Sequence, residues 1–200
     1  MKTTFLKYAW LLVAGFFLTT GAGAQTTWSL DPSHSNVKFT VTHLVISEVD
    51  GSFRKFNGTL ISAKPDFSDA QVTFAVDISS INTDNENRDN HLKSDDFFHA
   101  EQYPEMTFRS KSMQKTGENA YKLMGDLTIR NVTKSVTFDV TYGGTIVDPW
   151  GNTRAGFKAT ATINRFDYNL KWNSLTEAGS LVVGSDVKIT INAEFTKENR

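Results

Sequence analysis

Apolar and polar residues alternate with a period of two through most of the chain after Gln25. Successive side chains of a β-strand point to opposite faces of the sheet, so this alternation predicts strands with one apolar and one polar face. The pattern recurs in residues 27–31, 37–42, 53–61, 72–78, 106–109, 121–130, 136–142, 157–164 and 187–195. It predicts about eight to nine strands.

Turn-forming residues lie between these stretches or within them, as connections between antiparallel strands require. We expect turns at Gly51, Asn57-Gly58, residues 64–66, residues 116–118, Gly143-Gly144, residues 148–152 and Gly179. Because the connections are short, consecutive strands are expected to be antiparallel neighbours.

Residues 84–99 depart from the alternation and predict a short helical insertion. Asp84 is a suitable N-cap residue, and Ser94 is placed to cap a second turn through residues 95–98. Asp89 precedes Lys93 by four residues, the spacing of an ion pair along one helix face.

A meander of strands with one apolar face must hide that face, either by stacking two sheets or by rolling one sheet shut. Several of the alternating stretches run for about ten residues, close to 33 Å at the usual rise per residue, which favours a tall barrel. We therefore predict an all-β protein: residues 25–200 form a single antiparallel barrel of about eight strands with a short helical insertion.

Charge and composition narrow the classes of function. The chain has 21 Lys and Arg residues against 22 Asp and Glu, a net charge of -1, so it lacks the positive excess that a nucleic-acid-binding protein uses. It contains no cysteine, which excludes disulfides, thiolate zinc sites, iron–sulfur clusters and a cysteine nucleophile.

Residues 1–24 have the features of a secretory signal peptide. Lys2 and Lys7 precede an apolar stretch at 8–18, and Ala22-Gly23-Ala24 provides the small residues of a cleavage site. The apolar stretch is shorter than the roughly 20 residues that span a bilayer, so we expect cleavage before Gln25 and no stable membrane insertion.

Several blocks of the sequence resemble the YceI-like, polyisoprenoid-binding family, and together they cover nearly all of the chain after the signal. They include Trp28-Ser-Leu-Asp-Pro-Ser-His34-Ser-Asn-Val-Lys-Phe39, Gly51-Ser-Phe-Arg-Lys-Phe-Asn-Gly58, Arg88-Asp-Asn-His-Leu-Lys-Ser-Asp-Asp-Phe-Phe98, Gly125-Asp-Leu-Thr-Ile-Arg-Asn-Val-Thr-Lys134, Ile163-Asn-Arg-Phe-Asp-Tyr168 and Val183-Gly-Ser-Asp-Val-Lys-Ile189. The sequence departs from the family pattern at Asn131 and at Ser135, neither of which disturbs the apolar alternation.

The resemblance implies a lipocalin-like barrel, exported to the periplasm, that carries a long isoprenoid or a similar amphiphilic lipid. A bound polyisoprenoid or quinone-like lipid is expected as the ligand, with no other cofactor. The inward faces supply the candidate lipid-binding residues, which are Phe39, Val41, His43, Phe74, Val76, Phe97, Phe98, Phe108, Leu127, Ile129, Phe138, Phe157 and Ile189. The alternative is that these side chains pack into a solid core, as aromatic residues commonly do.

The helical segment supplies candidate contacts for a lipid head group, namely Arg88, His91, Lys93 and Ser94. An anionic head group suits a cationic side chain or free backbone N–H groups. The alternative is an exposed, solvated helix with an internal ion pair. The four histidines lack the spacing of a metal-binding motif, so we expect no metal site.

Two other functions are compatible with the sequence. One is an enzyme that acts at the barrel mouth with His91, Asp95 or Asp96 as acid or base, although no nucleophile or carboxylate pair is specified. The other is a small outer-membrane barrel, which would turn the apolar faces outward and place charges such as Lys38, Lys122 and Lys158 in the lumen. The sequence leaves the oligomeric state open, a homodimer included.

Overall fold

The computed structural model describes residues 24–198, so the predicted signal peptide lies outside the described residues except for Ala24. The described residues contain one α-helix, α1 (Glu86–Lys93), and two short 3-10 helices, Ile78–Ser80 and Arg165–Tyr168. Their strands are β1 (Thr26–Leu30), β2 (Asn36–His43), β3 (Ser47–Phe53), β4 (Phe56–Ser62), β5 (Gln71–Asp77), β6 (Ile81–Asn82), β7 (Glu105–Lys115), β8 (Ala120–Ile129), β9 (Val132–Val147), β10 (Thr153–Asn164) and β11 (Val183–Lys197).

These strands form a closed antiparallel barrel with eight strand positions. β1 and β2 lie end to end along β11, since Leu30 is opposite Phe195 and Asn36 is opposite Asn192. In the same way β3 continues into β4, and β5 into β6, so each pair acts as one interrupted strand. Pairing then runs through β7, β8, β9, β10 and β11 back to β1. The predicted eight-stranded barrel is confirmed.

The interruptions explain where the sequence prediction of strands was wrong. Residues 53–61 were predicted as one strand, but Arg54 and Lys55 separate β3 from β4. Consecutive strands are also not always neighbours, because β2 follows β1 along the same edge of β11 after the loop at residues 31–35.

Apolar side chains face the barrel interior and charged side chains face outward. Phe138 and Val140 on β9 are buried, whereas Asp139 between them is exposed and pairs with Lys122 on the neighbouring β8. Lys38, Lys158 and Lys188 are exposed as well. This orientation is opposite to the one that the outer-membrane alternative requires.

Three glycines within strands provide surfaces on which aromatic rings lie. Gly51 is opposite Phe39, and a Cβ atom added there would overlap the phenyl ring. Gly58 is opposite Phe74, whose Cδ2 would lie 2.7 Å from an added Cβ, and Phe108 approaches Gly125 in the same way. The predicted turns at Gly51 and Asn57-Gly58 are therefore wrong. Strand glycines commonly mark such close approach, and here they let rings lie against the barrel wall.

The predicted turn at Gly143-Gly144 is also wrong, because both residues belong to β9. The register between β9 and β10 shifts between Gly156 and Phe157, which marks a β-bulge beside Gly144. Gly144 has φ +118°, a conformation that residues with a Cβ rarely adopt. A bulge bends the strand and increases its twist, which helps a long strand follow the barrel surface.

The loop at residues 63–70 closes one end of the barrel. Phe67 is buried, and its ring lies 5.3 Å from the Trp28 ring and 5.2 Å from the Phe157 ring, edge to face with both. The Tyr121 hydroxyl holds this loop by donating to the Asp66 carbonyl. We call this the closed end.

Residues 83–104 and 165–182 cover the opposite end, which we call the mouth end. The predicted helix there is confirmed only over residues 86–93. Asn85, not Asp84, is the N-cap, since its side chain accepts from the Arg88 N–H and Asp84 has φ +57°. Ser94 ends the helix by donating to the His91 carbonyl and does not cap a second turn.

Asp89 also differs from the prediction. Its carboxylate accepts from the backbone N–H and the hydroxyl of Thr83, which ties α1 to the end of β6. The predicted ion pair between Asp89 and Lys93 is absent from the ion pairs of the described residues.

A cluster of charges on the outer wall joins β1, β10 and β11. The Arg154 guanidinium bonds Asp31 at 2.7 Å, Glu194 at 2.6 Å and Asp148 at 2.6 Å. Hydrogen bonds from Ser33, with further ones from His34 and Arg154, hold the pKa of Asp31 well below its usual range. The bond from Arg154 lowers the pKa of Asp148 to about 2.

The pKa shifts predict how stability depends on pH. A carboxyl group whose pKa is lower in the folded than in the unfolded state stabilises the fold fully above its unfolded pKa, near about 4, and loses that contribution as pH falls through the folded value. We expect a melting temperature that changes little around neutral pH and falls between about pH 4 and about pH 2. Thermal unfolding followed by circular dichroism across this range measures it.

The substitution Arg154→Gln tests whether the ion pairs of Arg154 supply this acid-sensitive contribution to stability. Its melting temperature is expected to lie furthest below that of the wild type at neutral pH, with the gap narrowing as the carboxyl groups become protonated. The control is Arg109→Gln, which removes an exposed arginine that forms none of the ion pairs in the described residues. A gap that stays constant with pH for Arg154→Gln would contradict the assignment.

The substitution Gly51→Ala tests whether the Phe39 ring needs the space that a side chain at position 51 would fill. The added methyl group must displace the Phe39 ring, so we expect a loss of about 1–3 kcal/mol in the free energy of unfolding, typical of overpacking. The control is Gly156→Ala, because a Cβ there would meet nothing within 4 Å. Chemical denaturation measures both, and equal stabilities for the two variants would show that Phe39 moves without cost.

Candidate functional site

The barrel interior contains three cavities in a row. The deep cavity, towards the closed end, has a volume of about 100 Å³. The inner cavity has a volume of about 90 Å³ and shares Met106 and Ile189 with the deep cavity. The vestibule, at the mouth end, has a volume of about 160 Å³ and shares Phe39, Val41 and Phe97 with the inner cavity. The interior therefore combines packed aromatic side chains with cavities between them.

The deep cavity is enclosed by the middle of the barrel. Besides Ile189, which it shares with the inner cavity, six of the predicted lipid-binding residues line it, namely Phe74, Val76, Phe108, Leu127, Phe138 and Phe157. Alternation along β5, β7, β8, β9 and β10 directs these side chains inward. The surface that they present is apolar, and cavities of this kind stay dry and bind apolar guests.

The inner cavity lies beneath α1 and the segment that follows it. Five predicted residues, Phe39, Val41, Phe97, Phe98 and Ile129, line it, and Ile189 borders both it and the deep cavity. Phe98 packs edge to face on Phe53, with ring centroids 6.0 Å apart. Phe97 stacks on Trp172 at 5.7 Å. The two phenylalanines after α1 thus both line the inner cavity.

The vestibule adjoins the inner cavity and reaches the surface at His91, whose side chain is 42% exposed, and its lining is partly polar. His43, at the end of β2, lines it together with Thr83, Arg88 and His91. Beside it the β2–β3 turn exposes Leu44, Val45 and Ile46, and the Leu44 N–H donates to the carbonyl of Val182, which precedes the neighbouring strand β11. An apolar rim therefore borders the opening.

The structure separates the four head-group candidates. Arg88 and His91 line the vestibule, whereas Lys93 and Ser94 line none of the three cavities. The Arg88 guanidinium donates to the Thr83 hydroxyl at 2.8 Å and to the Thr83 carbonyl at 2.7 Å. Arg88 therefore anchors α1 to β6, and those two N–H groups are not free for a ligand.

His91 lies between an acidic side chain and two aromatic rings. Its Nε2 is 2.8 Å from the Asp96 carboxylate, and the rings of Phe97 and Trp172 lie edge to face with the imidazole. The Ser94 hydroxyl bonds the His91 carbonyl and not its ring. Among the described residues the His91–Asp96 pair therefore has no hydroxyl nucleophile hydrogen-bonded to it, as acyl-transfer chemistry requires.

Sequence reasoning assigned no role to three buried or partly buried residues at the mouth end. Arg165 and Tyr168, from the 3-10 helix after β10, line the inner cavity. Arg130, in the β8–β9 turn, donates to the carbonyls of Asp95, Phe97 and Asn169 and so joins the two segments that cover the mouth end. One indication of the role of Arg165 was available from the sequence. The alternation ends at Asn164, and the arginine that follows lies next to Phe166 and close to Tyr168.

One group on the outer wall has the residue types of a metal site. The ligand atoms of Asp31, His34 and Glu194 lie within 4.8 Å of one another. The Arg154 guanidinium already bonds both carboxylates of this group. Its positive charge occupies the place that a cation would need, so the group is explained as an ion-pair cluster.

A search for membrane-crossing helices gives a negative result for the described part of the chain. No helix within residues 24–198 is both long enough and apolar enough to traverse a bilayer.

Both the sequence and the structure are similar to those of known proteins. Residues 28–195 match the family model for the YceI-like domain. The UPF0312 protein SA2479 of Staphylococcus aureus strain N315 is 40% identical over 173 residues, which are 86% of this chain and 98% of that protein. A Campylobacter jejuni YCEI protein of known structure is 32% identical, covers 79% of this chain and 90% of its own, and superimposes with a TM-score of 0.68.

A more distant structure shares the fold alone. A polyisoprenoid binding domain from Saccharophagus degradans is 16% identical and superimposes with a TM-score of 0.63 over 86% of this chain and 98% of its own. The family model spans the whole barrel, from β1 to β11. On that match and on its similarity to the staphylococcal protein, the chain belongs to the YceI-like family.

Proposed function

We propose that the protein is an exported, periplasmic carrier that holds a long-chain isoprenoid or a similar amphiphilic lipid inside its barrel. The observation that carries the proposal is the set of three adjoining cavities, which share lining residues from the partly exposed vestibule at His91 to the deep cavity at Phe157. An unbranched or methyl-branched chain is the ligand whose shape matches such a row. The export signal predicted at residues 1–24 supports the periplasmic location.

The energetics favour a ligand with a long hydrocarbon tail. Each methylene group transferred from water to an apolar environment contributes about 0.8 kcal/mol. The deep cavity is lined almost entirely by apolar side chains, including Phe74, Phe108 and Phe138, so it offers a tail this contribution along its length. It offers a polar ligand few hydrogen-bond partners, and desolvating such a ligand would cost free energy.

Binding explains the site better than catalysis does. Lipid binding needs an apolar interior, and the apolar linings of the deep and inner cavities support it, as does the vestibule, whose His91 side chain is 42% exposed. Catalysis at the mouth would need a nucleophile or a second acid placed against the His91–Asp96 pair, and the described residues supply none by hydrogen bonding. The fold neighbour named as a polyisoprenoid binding domain agrees with a lipid ligand.

Native mass spectrometry of the protein purified from its own host tests the proposal directly. We expect the mass of a chain that begins at Gln25 plus one lipid, and solvent extraction is expected to release that lipid chemically unchanged. The bare-chain mass, combined with failure to take up geranylgeraniol in vitro, would refute the carrier. A released compound that is a processed lipid would favour the enzyme.

Substitution Ala159→Phe tests whether the tail reaches the deep cavity. Ala159 lines this cavity, and a phenyl ring there would occupy space that a long tail needs. We expect the affinity for geranylgeraniol to fall at least about tenfold, the equivalent of about two buried methylene groups, with little effect on the shorter geraniol. Displacement of a fluorescent fatty-acid probe measures both affinities.

The matched control is Thr162→Phe, which adds the same ring to the same strand at an exposed position. It should leave both affinities unchanged. An equal loss for the short and the long alcohol in Ala159→Phe would show that the tail ends before the deep cavity.

A further inference from the structure

Four large apolar side chains are exposed beside the vestibule. Leu44, Val45 and Ile46 in the β2–β3 turn are 40%, 65% and 86% exposed. Leu175, in the segment 165–182 that covers the mouth end, is 58% exposed. We call these four residues the rim patch. Large apolar side chains that are grouped on one surface mark a place where a partner binds, unlike single ones that are scattered over it.

Backbone hydrogen bonds place the two parts of the rim patch side by side. The Leu44 N–H donates to the Val182 carbonyl. The Val182 N–H donates to the Ser174 carbonyl, and Leu175 follows Ser174 in the chain. Val182 lines the vestibule, as does His43, the residue before Leu44. The rim patch is therefore continuous with the wall of the vestibule.

The β2–β3 turn holds its apolar residues in a strained backbone conformation. The Ile46 N–H donates to the His43 carbonyl, and the two residues between them, Leu44 and Val45, have φ +51° and +66°. A turn with two positive φ values is of type I′, which favours Asn and Gly, and a β-branched residue such as valine rarely adopts such a φ. Because these side chains are also exposed, neither the turn nor the core accounts for them.

The rim patch lies among uncharged residues. Residues 43–47, 172–176 and 180–185 contain no Asp, Glu, Lys or Arg. The charged residues next to these segments in sequence are three acidic ones and one basic one, namely Glu48, Glu177, Asp186 and Lys171. Moving a charged group out of water is costly, so an uncharged rim can enter an apolar surface at little cost. The acidic neighbours offer no attraction to anionic head groups, so apolar contact must supply the affinity.

We propose that the rim patch docks the mouth end on the surface of a lipid bilayer, so that the lipid passes between the bilayer and the vestibule without crossing water. The contact is peripheral, with the side chains of the two turns reaching the boundary between head groups and acyl chains. A bilayer fits better than a protein partner, because the cargo of the proposed carrier resides in one and a route through water would expose the whole tail. This inference rests on the proposed function and names where the ligand is loaded or delivered.

Transfer kinetics test the docking. The mature protein is loaded with geranylgeraniol esterified with a fluorescent anthroyl group and mixed with phosphatidylcholine vesicles that contain a quencher. Transfer by contact gives a rate that rises in proportion to vesicle concentration, whereas release into water gives a rate that does not depend on it. We expect the proportional rate, with no acceleration when part of the phosphatidylcholine is replaced by phosphatidylglycerol. A rate independent of vesicle concentration would overturn the proposal.

The double variant Val45→Asn, Ile46→Ser removes the two most exposed side chains of the rim patch. We expect transfer to slow at least about tenfold, the effect of about two methylene groups that no longer leave water. The affinity for geranylgeraniol in solution should stay unchanged, because neither residue lines any of the three cavities. The melting temperature should equal or exceed that of the wild type, since Asn adopts a positive φ more readily than Val. A lower melting temperature with unchanged transfer would show that the two residues serve the fold alone.

The matched control is Ile146→Ser, Val147→Asn, which makes the same two changes at the end of β9. Both side chains are 67% exposed and lie in another exposed apolar group, together with Trp150. Thr145, the residue before them, borders the same surface groove as Phe67, so this group lies at the closed end. Transfer by the control should match that of the wild type, and equal slowing in both variants would overturn the role of the rim patch.

The same measurements separate this inference from the proposed function. Normal affinity for geranylgeraniol in solution without transfer to vesicles would overturn docking on a bilayer, favour a protein partner and leave the carrier function intact. Failure to bind geranylgeraniol at all would reject the carrier function itself.

Discussion

Closure of the sheet through β11 is the constraint on which the rest of the structure depends. One edge of β11 pairs with β10, and the other edge pairs with β1 near one end and with β2 near the other. This shared edge lets two short strands serve as one and closes the hydrogen-bond ladder, so the barrel has no long unpaired edge. A closed ladder also commits alternate side chains to the interior, which is why every apolar face of the sequence contributes to the same internal surface.

A closed eight-stranded barrel can be filled by its own side chains or can hold a slim ligand, and small structural choices separate the two outcomes. Here the rings of Phe39 and Phe74 lie over Gly51 and Gly58 on neighbouring strands and stay against the wall. Phe67 closes one end, and Phe97 and Phe98 line the cavity nearest the other. The interior is consequently rich in aromatic residues and still hollow.

The mouth end is organised by arginines that bond backbone carbonyls. Arg88 fastens α1 to Thr83, Arg130 joins residues 95–97 to Asn169, and Arg165 holds residues 170–184. A guanidinium suits this task because its planar set of donors reaches several acceptors at once. It also brings positive charge to the route between the surface and the apolar cavities, and of the three arginines Arg165 is the one that lines the inner cavity.

The sequence by itself determined which side chains point into the barrel, because side-chain direction in a strand follows from position along the strand. Phe74, Phe108 and Phe138 could therefore be assigned to the interior, and the barrel and its family could be predicted. Only the tertiary structure decided that Gly51 lies in a strand beneath the Phe39 ring and not in a turn. It also decided that Asp89 bonds Thr83 and not Lys93, and that the Tyr168 hydroxyl is buried without a hydrogen-bond partner among the described residues. The position of Gly51 depends on the strand that pairs with it, and the surroundings of Asp89 and Tyr168 depend on how the chain is packed over the mouth end. The alternation of apolar and polar residues carries no information on either.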